Sequence, residues 1–373
     1  MVRGASGTQC LFVPLVALVL SACGGSSQPP SDNSSGLAQA VDGAVQSSMQ
    51  QFSVPGISVE LAKQGNLLYA KGYGDADLAS AQPAETSTVF QIGSITKQFT
   101  ASLIMKLQEQ QLLHVDDPLV NYLPGYQFPP AITLRMMLNH TSGLANFTTF
   151  PQFGQWVRNG VTEATVLTAI AQAGLQFQPG TQYQYSNSNY FALGTIIERL
   201  TNLSYAANLQ QSIFQPLGLQ ATYYNLPPAN VAAAGYAING SGIAPAMIWD
   251  RSAAFAAGAM SSDVADLVAW DHALVSGAVV SQPSFQEMIK PNGFAIDGQG
   301  DSYGFGLALS KYNNRPLIWH SGQIGGFTAE NVVFLDNQFT LVVLTNDQDF
   351  DTDPLVYKIL NAVCLSATLS GNC

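Results

Sequence analysis

The chain has 373 residues, 47% of them hydrophobic and 10% charged, and a formal net charge of -11. That composition is globular, and the length suffices for one large domain or two cooperating lobes. An acidic chain without a basic run is repelled by nucleic acid, which excludes nucleic-acid binding, and its electrostatics do not favour anionic membrane surfaces.

The N-terminus reads as an export signal over residues 1–22. Arg3 supplies a thin positive region, and Leu11 to Leu20 an apolar core too short to span a bilayer. Leu20-Ser-Ala-Cys23 follows. It resembles the bacterial lipobox, which implies cleavage before Cys23 and lipid attachment to it; plain secretion after Ala22 is the alternative. Gly24 in place of Asp resembles outer-membrane sorting in Gram-negative bacteria, so the expected location is the cell envelope, facing the periplasm. The Ser-, Gly- and Pro-rich residues 23–36 suit a flexible tether, and 37–373 form the domain. Of the remaining cysteines, Cys364 and Cys373 could close a small C-terminal loop in an oxidising compartment, or stay reduced.

Leu37, Val41, Val45 and Met49 recur at helical spacing up to Phe52. Residues 56–63 and 67–73 read as strands joined by a hairpin at Gly65-Asn66. A helix follows Ser94, marked by Ile95, Phe99, Leu103, Ile104 and Leu107. From Asp116 to about Gly258 short helices, Pro-rich turns and aromatics predominate, without clear strands. Helices are expected over 133–140, 162–173 and 188–202, and another starts within 261–270. Strand character returns at 304–309, 317–320, 328–335 and 339–345, and Asp353-Pro354 opens a closing helix through Cys364. The expected fold is α/β (α+β): an antiparallel sheet flanked by helices, with a mostly helical lobe inserted at about 116–258. A site would lie in the cleft between them.

Three short stretches carry chemistry. Ser94 and Lys97 lie one helical turn apart in Gly93-Ser-Ile-Thr-Lys97. A hydroxyl there meets free N–H groups and the positive end of the helix dipole, and a buried, neutral Lys97 can take its proton. Tyr185-Ser-Asn187 follows the turn Gln178-Pro-Gly180 and can hold a phenol for proton relay and an amide for substrate and Lys97. His320-Ser-Gly-Gln323 ends a predicted strand. Gly322 would let substrate approach the strand without a Cβ clash, and the Gln323 N–H could join that of Ser94 in an oxyanion hole. His140, in the similar His140-Thr-Ser-Gly143, is assigned to a structural turn. Gly300-Asp-Ser-Tyr-Gly304 matches the nucleophile elbow of α/β-hydrolases, but a loop precedes Ser302 and a strand follows it, the reverse of what that motif needs. The four histidines, His114, His140, His272 and His320, show no zinc spacing, and no metal or cofactor is expected.

In this order the three stretches resemble the serine β-lactamase and penicillin-binding-protein family, in its class C-related branch. Phe90–Lys97, Leu138–Leu144, Gln178–Tyr190 and His320–Phe327 carry the resemblance. It implies Ser94 as acylated nucleophile, Lys97 as base and Tyr185 as proton relay. Asn187, His320, Gly322 and Gln323 would then contact the substrate, with Ser94 and Gln323 as oxyanion donors. One departure matters: His320 stands where β-lactamases of the branch carry Lys. Imidazole is mostly uncharged near neutrality, which weakens capture of a substrate carboxylate and favours ester or peptide substrates over β-lactams. The expected function is a serine hydrolase acting on an ester or a peptide, with cell-wall-derived peptides among the candidate substrates. The alternatives are a class C-like β-lactamase and a non-catalytic lipoprotein that binds peptidoglycan or a protein partner in the same cleft.

Overall fold

A computed structural model describes residues 33–364 apart from 225, 240, 241 and 299. Cys23, Cys373 and the export signal lie outside the described residues. Helix α1 (Asn33–Phe52) starts inside the stretch read as tether, so residues 33–36 form its first turn. Asn33, Ser34 and Ser35 are residue types that favour a helix start, placed just ahead of the Leu37, Val41, Val45 stripe.

The hairpin of β1 (Gly56–Lys63) and β2 (Asn66–Asp77) comes next, then the short strands β3 (Gln82–Pro83) and β4 (Phe90–Gln91). A 3-10 turn, Gly93–Ile95, leads into α2 (Thr96–Glu109). The helical stretch holds α3 (Leu134–Leu138), α4 (Phe153–Asn159), α5 (Glu163–Ala173), α6 (Asn187–Thr201), α7 (Tyr205–Leu209) and α8 (Gln215–Leu217). Then come the hairpin β5 (Tyr236–Asn239) and β6 (Gly242–Pro245), helix α9 (Arg251–Ala254), strand β7 (Ser261–Ser262), α10 (Val264–Ser276) and α11 (Gln282–Met288). The chain ends through β8 (Ser302–Tyr303), β9 (Ala308–Tyr312), β10 (Arg315–Ile324), β11 (Phe327–Phe334), β12 (Phe339–Thr345) and α12 (Asp353–Cys364). Cys364 is disulfide-bonded.

Eight strands form one antiparallel sheet in the order β3-β2-β1-β12-β11-β10-β9-β8. The first hairpin is therefore zipped to the last strand, with Ile57 opposite Thr345 and Lys63 opposite Phe339. Along β12 the two-residue period splits the side chains between two cores. Phe339, Leu341 and Val343 join α1 and α12, whereas Val342 and Leu344 face the α2 side. Helix α2 is buried on nearly every side, including Gln98, Thr100 and Ser102. Its polar groups are paired: Gln98 donates to Asn331 Oδ1 at 3.0 Å and accepts from Trp270 Nε1 at 2.9 Å. A buried polar helix side is tolerable only with such partners.

Four expectations are corrected. The first hairpin turns at Gln64-Gly65, where both residues have positive φ (53° and 74°), one residue earlier than read. The strand expected over 304–309 breaks: Gly304 N–H bonds Leu307 O at 2.8 Å, and Gly306 adopts φ 70°. The β5–β6 hairpin adds strands to the helical stretch, while Ser261-Ser262 is strand and Asp263 caps α10 through the Asp266 N–H at 2.8 Å. Strand β10 continues to Ile324, so His320, Gly322 and Gln323 lie within it rather than at its end.

Candidate active site

The turn before α2 is held by pairing of β4 with β7, Phe90 opposite Ser262 and Gln91 opposite Ser261. Gly93 takes φ 48°, and a Cβ on it would come 2.7 Å from the Gln323 nitrogen. A Cβ on Gly322 would sit 1.9 Å from the Ile92 carbonyl oxygen and 3.1 Å from the Ser94 nitrogen. The space beside Gly322, expected to admit substrate, is thus filled by the nucleophile turn itself. Two glycines let strand β10 and this turn meet backbone to backbone, which brings the Ser94 and Gln323 peptides side by side at a helix start.

Lys97 is fully buried and surrounded by oxygen acceptors without a carboxylate. Its Nζ lies 2.8 Å from Ser94 Oγ, 2.8 Å from Asn187 Oδ1 and 2.6 Å from Ala257 O. Burial holds its pKa well below the usual lysine range. A neutral amine has two hydrogens and one lone pair. Asn187 Oδ1 and Ala257 O can only accept, so they take the two hydrogens and leave the lone pair for the Ser94 hydroxyl proton. In that neutral form, the one a base role requires, Ser94 O–H donates to Lys97.

Tyr185 lies over the same amine, its ring centre 4.9 Å from Lys97 Nζ. Its hydroxyl is buried without a hydrogen-bond partner among the described residues. Burial raises its pKa above the usual phenol range, opposed by the Ser94 hydroxyl. The phenol therefore stays protonated, which suits a proton donor and not a base. Asn187, the first residue of α6, is also fixed by its N–H to Asn146 Oδ1 at 3.1 Å.

His320 is 5% exposed, and both ring nitrogens are engaged. Nδ1 lies 2.5 Å from the Ser321 carbonyl and Nε2 lies 2.8 Å from the Tyr303 hydroxyl. A carbonyl can only accept, so the proton sits on Nδ1, and Tyr303 donates to Nε2. Burial, and secondarily Lys97 whenever that amine is charged, lowers the imidazole pKa to about 3. Tyr303 and the Ala257 carbonyl were not found from sequence. Tyr303 sits inside the Gly300–Gly304 stretch, whose Ser302 bonds Asn292 Oδ1 and Phe294 O at 3.2 Å each and has no base beside it. His140, assigned to a turn, packs its ring 4.3 Å from that of Tyr185.

Ser94, Asn187 and Gln323 open onto a cleft of about 190 Å³. Its other walls are Phe147, Thr148, Phe153, Trp249, Ala253, Ala254, Ala257, Gly258 and Ile324, so no charged side chain lines it. Lys97 is buried beneath this lining and touches it at Ser94, Asn187 and Ala257, while Tyr185 and His320 are not among the lining residues. Among the described residues no three His, Cys, Asp or Glu side chains gather as a metal site.

A serine flanked by a buried amine and a phenol, at the seam of an antiparallel sheet and a helical stretch, defines a class of serine hydrolase. The beta-lactamase family model matches residues 41–363, and the chain belongs to that family. Penicillin-binding protein 4* of Bacillus subtilis (strain 168) is 29% identical over 318 residues, covering 79% of this chain and 69% of that protein. The octameric penicillin-binding protein homologue from Pyrococcus abyssi superposes with a TM-score of 0.79 at 27% identity, over 88% of this chain and 77% of that one. D-amino acid amidase from Ochrobactrum anthropi SV3, in complex with L-phenylalanine, gives a TM-score of 0.77 at 28% identity, over 88% and 98%.

Proposed function

We propose that the protein hydrolyses esters or amides that carry no carboxylate, through an acyl-enzyme on Ser94. The observation that carries this is the 2.8 Å contact between Ser94 Oγ and a fully buried amine whose other two contacts, Asn187 Oδ1 and Ala257 O, are both acceptors. Ser94 Oγ attacks the carbonyl carbon and its proton passes to Lys97 Nζ. The developing oxyanion meets the Ser94 and Gln323 N–H groups. The leaving alcohol or amine takes a proton through Tyr185, and water then cleaves the acyl-Ser94 ester by the same relay in reverse. Substrate choice follows from what lines the cleft. Aromatic and aliphatic walls favour an apolar acyl group, as in an aryl amino-acid amide, and a neutral His320 offers no cation to a substrate carboxylate.

A fluorophosphonate probe, a fluorescent penicillin and a substrate panel test this together. Purified residues 33–373 should hydrolyse short-chain nitrophenyl esters or D-amino-acid amides, and the fluorophosphonate label should vanish in Ser94→Ala. Faster turnover of nitrocefin than of the neutral esters would favour a β-lactamase. Wild-type labelling by neither probe would favour a non-catalytic binding protein. We further propose export and lipid attachment at Cys23, supported by Leu20-Ser-Ala-Cys23 behind an apolar run. Radiolabelled palmitate incorporated by the full chain and lost in Cys23→Ser is the expected result.

A further inference from the structure

The strongest unused group near the site is His140, a buried imidazole outside the proton path described above. It holds φ 60°, a left-handed conformation uncommon for a side chain of this size, and it is fully buried. Strain of that kind persists when surrounding contacts over-determine it. Here they do. The His140 carbonyl accepts from the Gln184 N–H at 3.0 Å, one residue before Tyr185. The His140 Nδ1 accepts from the Ser186 N–H at 3.2 Å, one residue after it. The same nitrogen faces Asn189 Nδ2 at 3.1 Å, and Asn189 Oδ1 is taken by the Ser142 hydroxyl at 2.6 Å, which fixes the amide orientation. With two donors aimed at Nδ1, that nitrogen carries the lone pair and the ring proton sits on Nε2. Between these two anchors the imidazole lies at 37° to the Tyr185 ring, 4.3 Å centre to centre.

We propose that His140 is a positioning residue: it clamps the backbone on both sides of Tyr185 and supports the phenol ring, so that the hydroxyl stays beside Ser94 and Lys97. The inference rests on the relay role given to Tyr185 in the proposed function. A loop that leads into a helix has few hydrogen bonds of its own, and among the described residues the phenol hydroxyl has none beyond the approach of the Ser94 hydroxyl, which lies outside the loop. The orientation of Tyr185 is therefore supplied from outside its own loop. The left-handed backbone at residue 140 is what lets one residue present its carbonyl to Gln184 and its ring to Ser186 at once.

The test is a set of variants assayed for kcat and KM on a neutral nitrophenyl ester, with thermal unfolding as the check on folding. Asn tolerates positive φ and offers Oδ1 near the place of Nδ1, so His140→Asn should keep kcat within about five-fold. His140→Gly accepts the backbone conformation but removes clamp and ring. Its kcat should fall by about 30-fold or more, approaching the 10²–10⁴-fold span of a lost proton relay, with KM changed less than three-fold. Combined with Tyr185→Phe, either His140 variant should add no further loss, because the residue acts only through the phenol. Equal losses in His140→Asn and His140→Gly, or losses that multiply with Tyr185→Phe, would overturn the proposal. If His140→Gly does not fold, His140→Ala, which also removes the ring and its Nδ1, takes its place under the same criteria. Full activity in Tyr185→Phe would remove the relay and this inference together, whereas a slow Tyr185→Phe beside an unimpaired His140→Gly overturns this inference alone.

Discussion

His320 should remain uncharged throughout the working range of the enzyme. An unperturbed imidazole, with a pKa near 6.5, is about three-quarters protonated at pH 6. Burial moves this one to about 3, which leaves about one molecule in 10³ protonated at that pH and sets the cost of charging the ring on the order of 5 kcal/mol. A proton added at Nε2 would also require the Tyr303 hydroxyl, 2.8 Å away, to turn its own hydrogen elsewhere inside the buried site and accept instead. The sign for stability follows. The unfolded chain takes up the proton below about pH 6.5, so the contribution of a neutral His320 is complete above that value and declines as pH falls toward 3. Proton NMR of the four histidines, with His320→Asn to assign the signal, should show the His320 ring proton stationary from pH 5 to 8. The ratio of wild-type to His320→Asn kcat/KM on a neutral ester should be flat over that window. A resonance absent from the variant and titrating near 6.5, or a ratio with an inflection there, would refute the reasoning and restore a cation at this position.

Lys97→Met should lower kcat by about 10²–10⁴-fold, the usual worth of a general base. Lys97→Arg should not rescue it, since a guanidinium does not give up its proton; burst kinetics with a nitrophenyl ester measure both. Because Lys97 must be neutral and Tyr185 titrates above its usual range, kcat/KM should fall only on the acid side between pH 5 and 9. A clear alkaline limb below pH 9 would contradict that assignment. Gly322→Ala places a methyl 1.9 Å from the Ile92 oxygen, which should cost about 1–3 kcal/mol in denaturant unfolding and slow fluorophosphonate labelling of Ser94. Burial, reinforced by Asp353 and Asp351 nearby, holds the Glu330 pKa well above the usual carboxylate range. Its neutral form favours the native state below about pH 4.5, and that contribution is lost as pH rises. Glu330→Gln should therefore gain stability over wild type with increasing pH, by up to about 1.4 kcal/mol per pH unit. Urea midpoints from pH 4 to 8 that differ by a constant amount would reject this.

By itself the sequence determined the local features: the α2 stripe, the first hairpin, the last two strands, the α12 start at Asp353, and the spacing that puts Ser94 and Lys97 on one side of a turn. These depend on periodicity and on residues near in the chain, which a linear reading can see. The Asn187 amide is expected at Lys97 from the sequence, but only the tertiary structure decided that the Ala257 carbonyl, 160 residues away, joins it there, because a backbone carbonyl carries no residue-type signal at all. The same holds for Tyr303, hidden in a stretch that suggested a different hydrolase, and for Gly322, whose missing Cβ answers to the Ile92 carbonyl and not to substrate. His320 illustrates the division most sharply. Its side chain chose a weaker base than lysine, but burial and the Tyr303 hydrogen bond, both products of packing between distant strands, decide that it stays neutral.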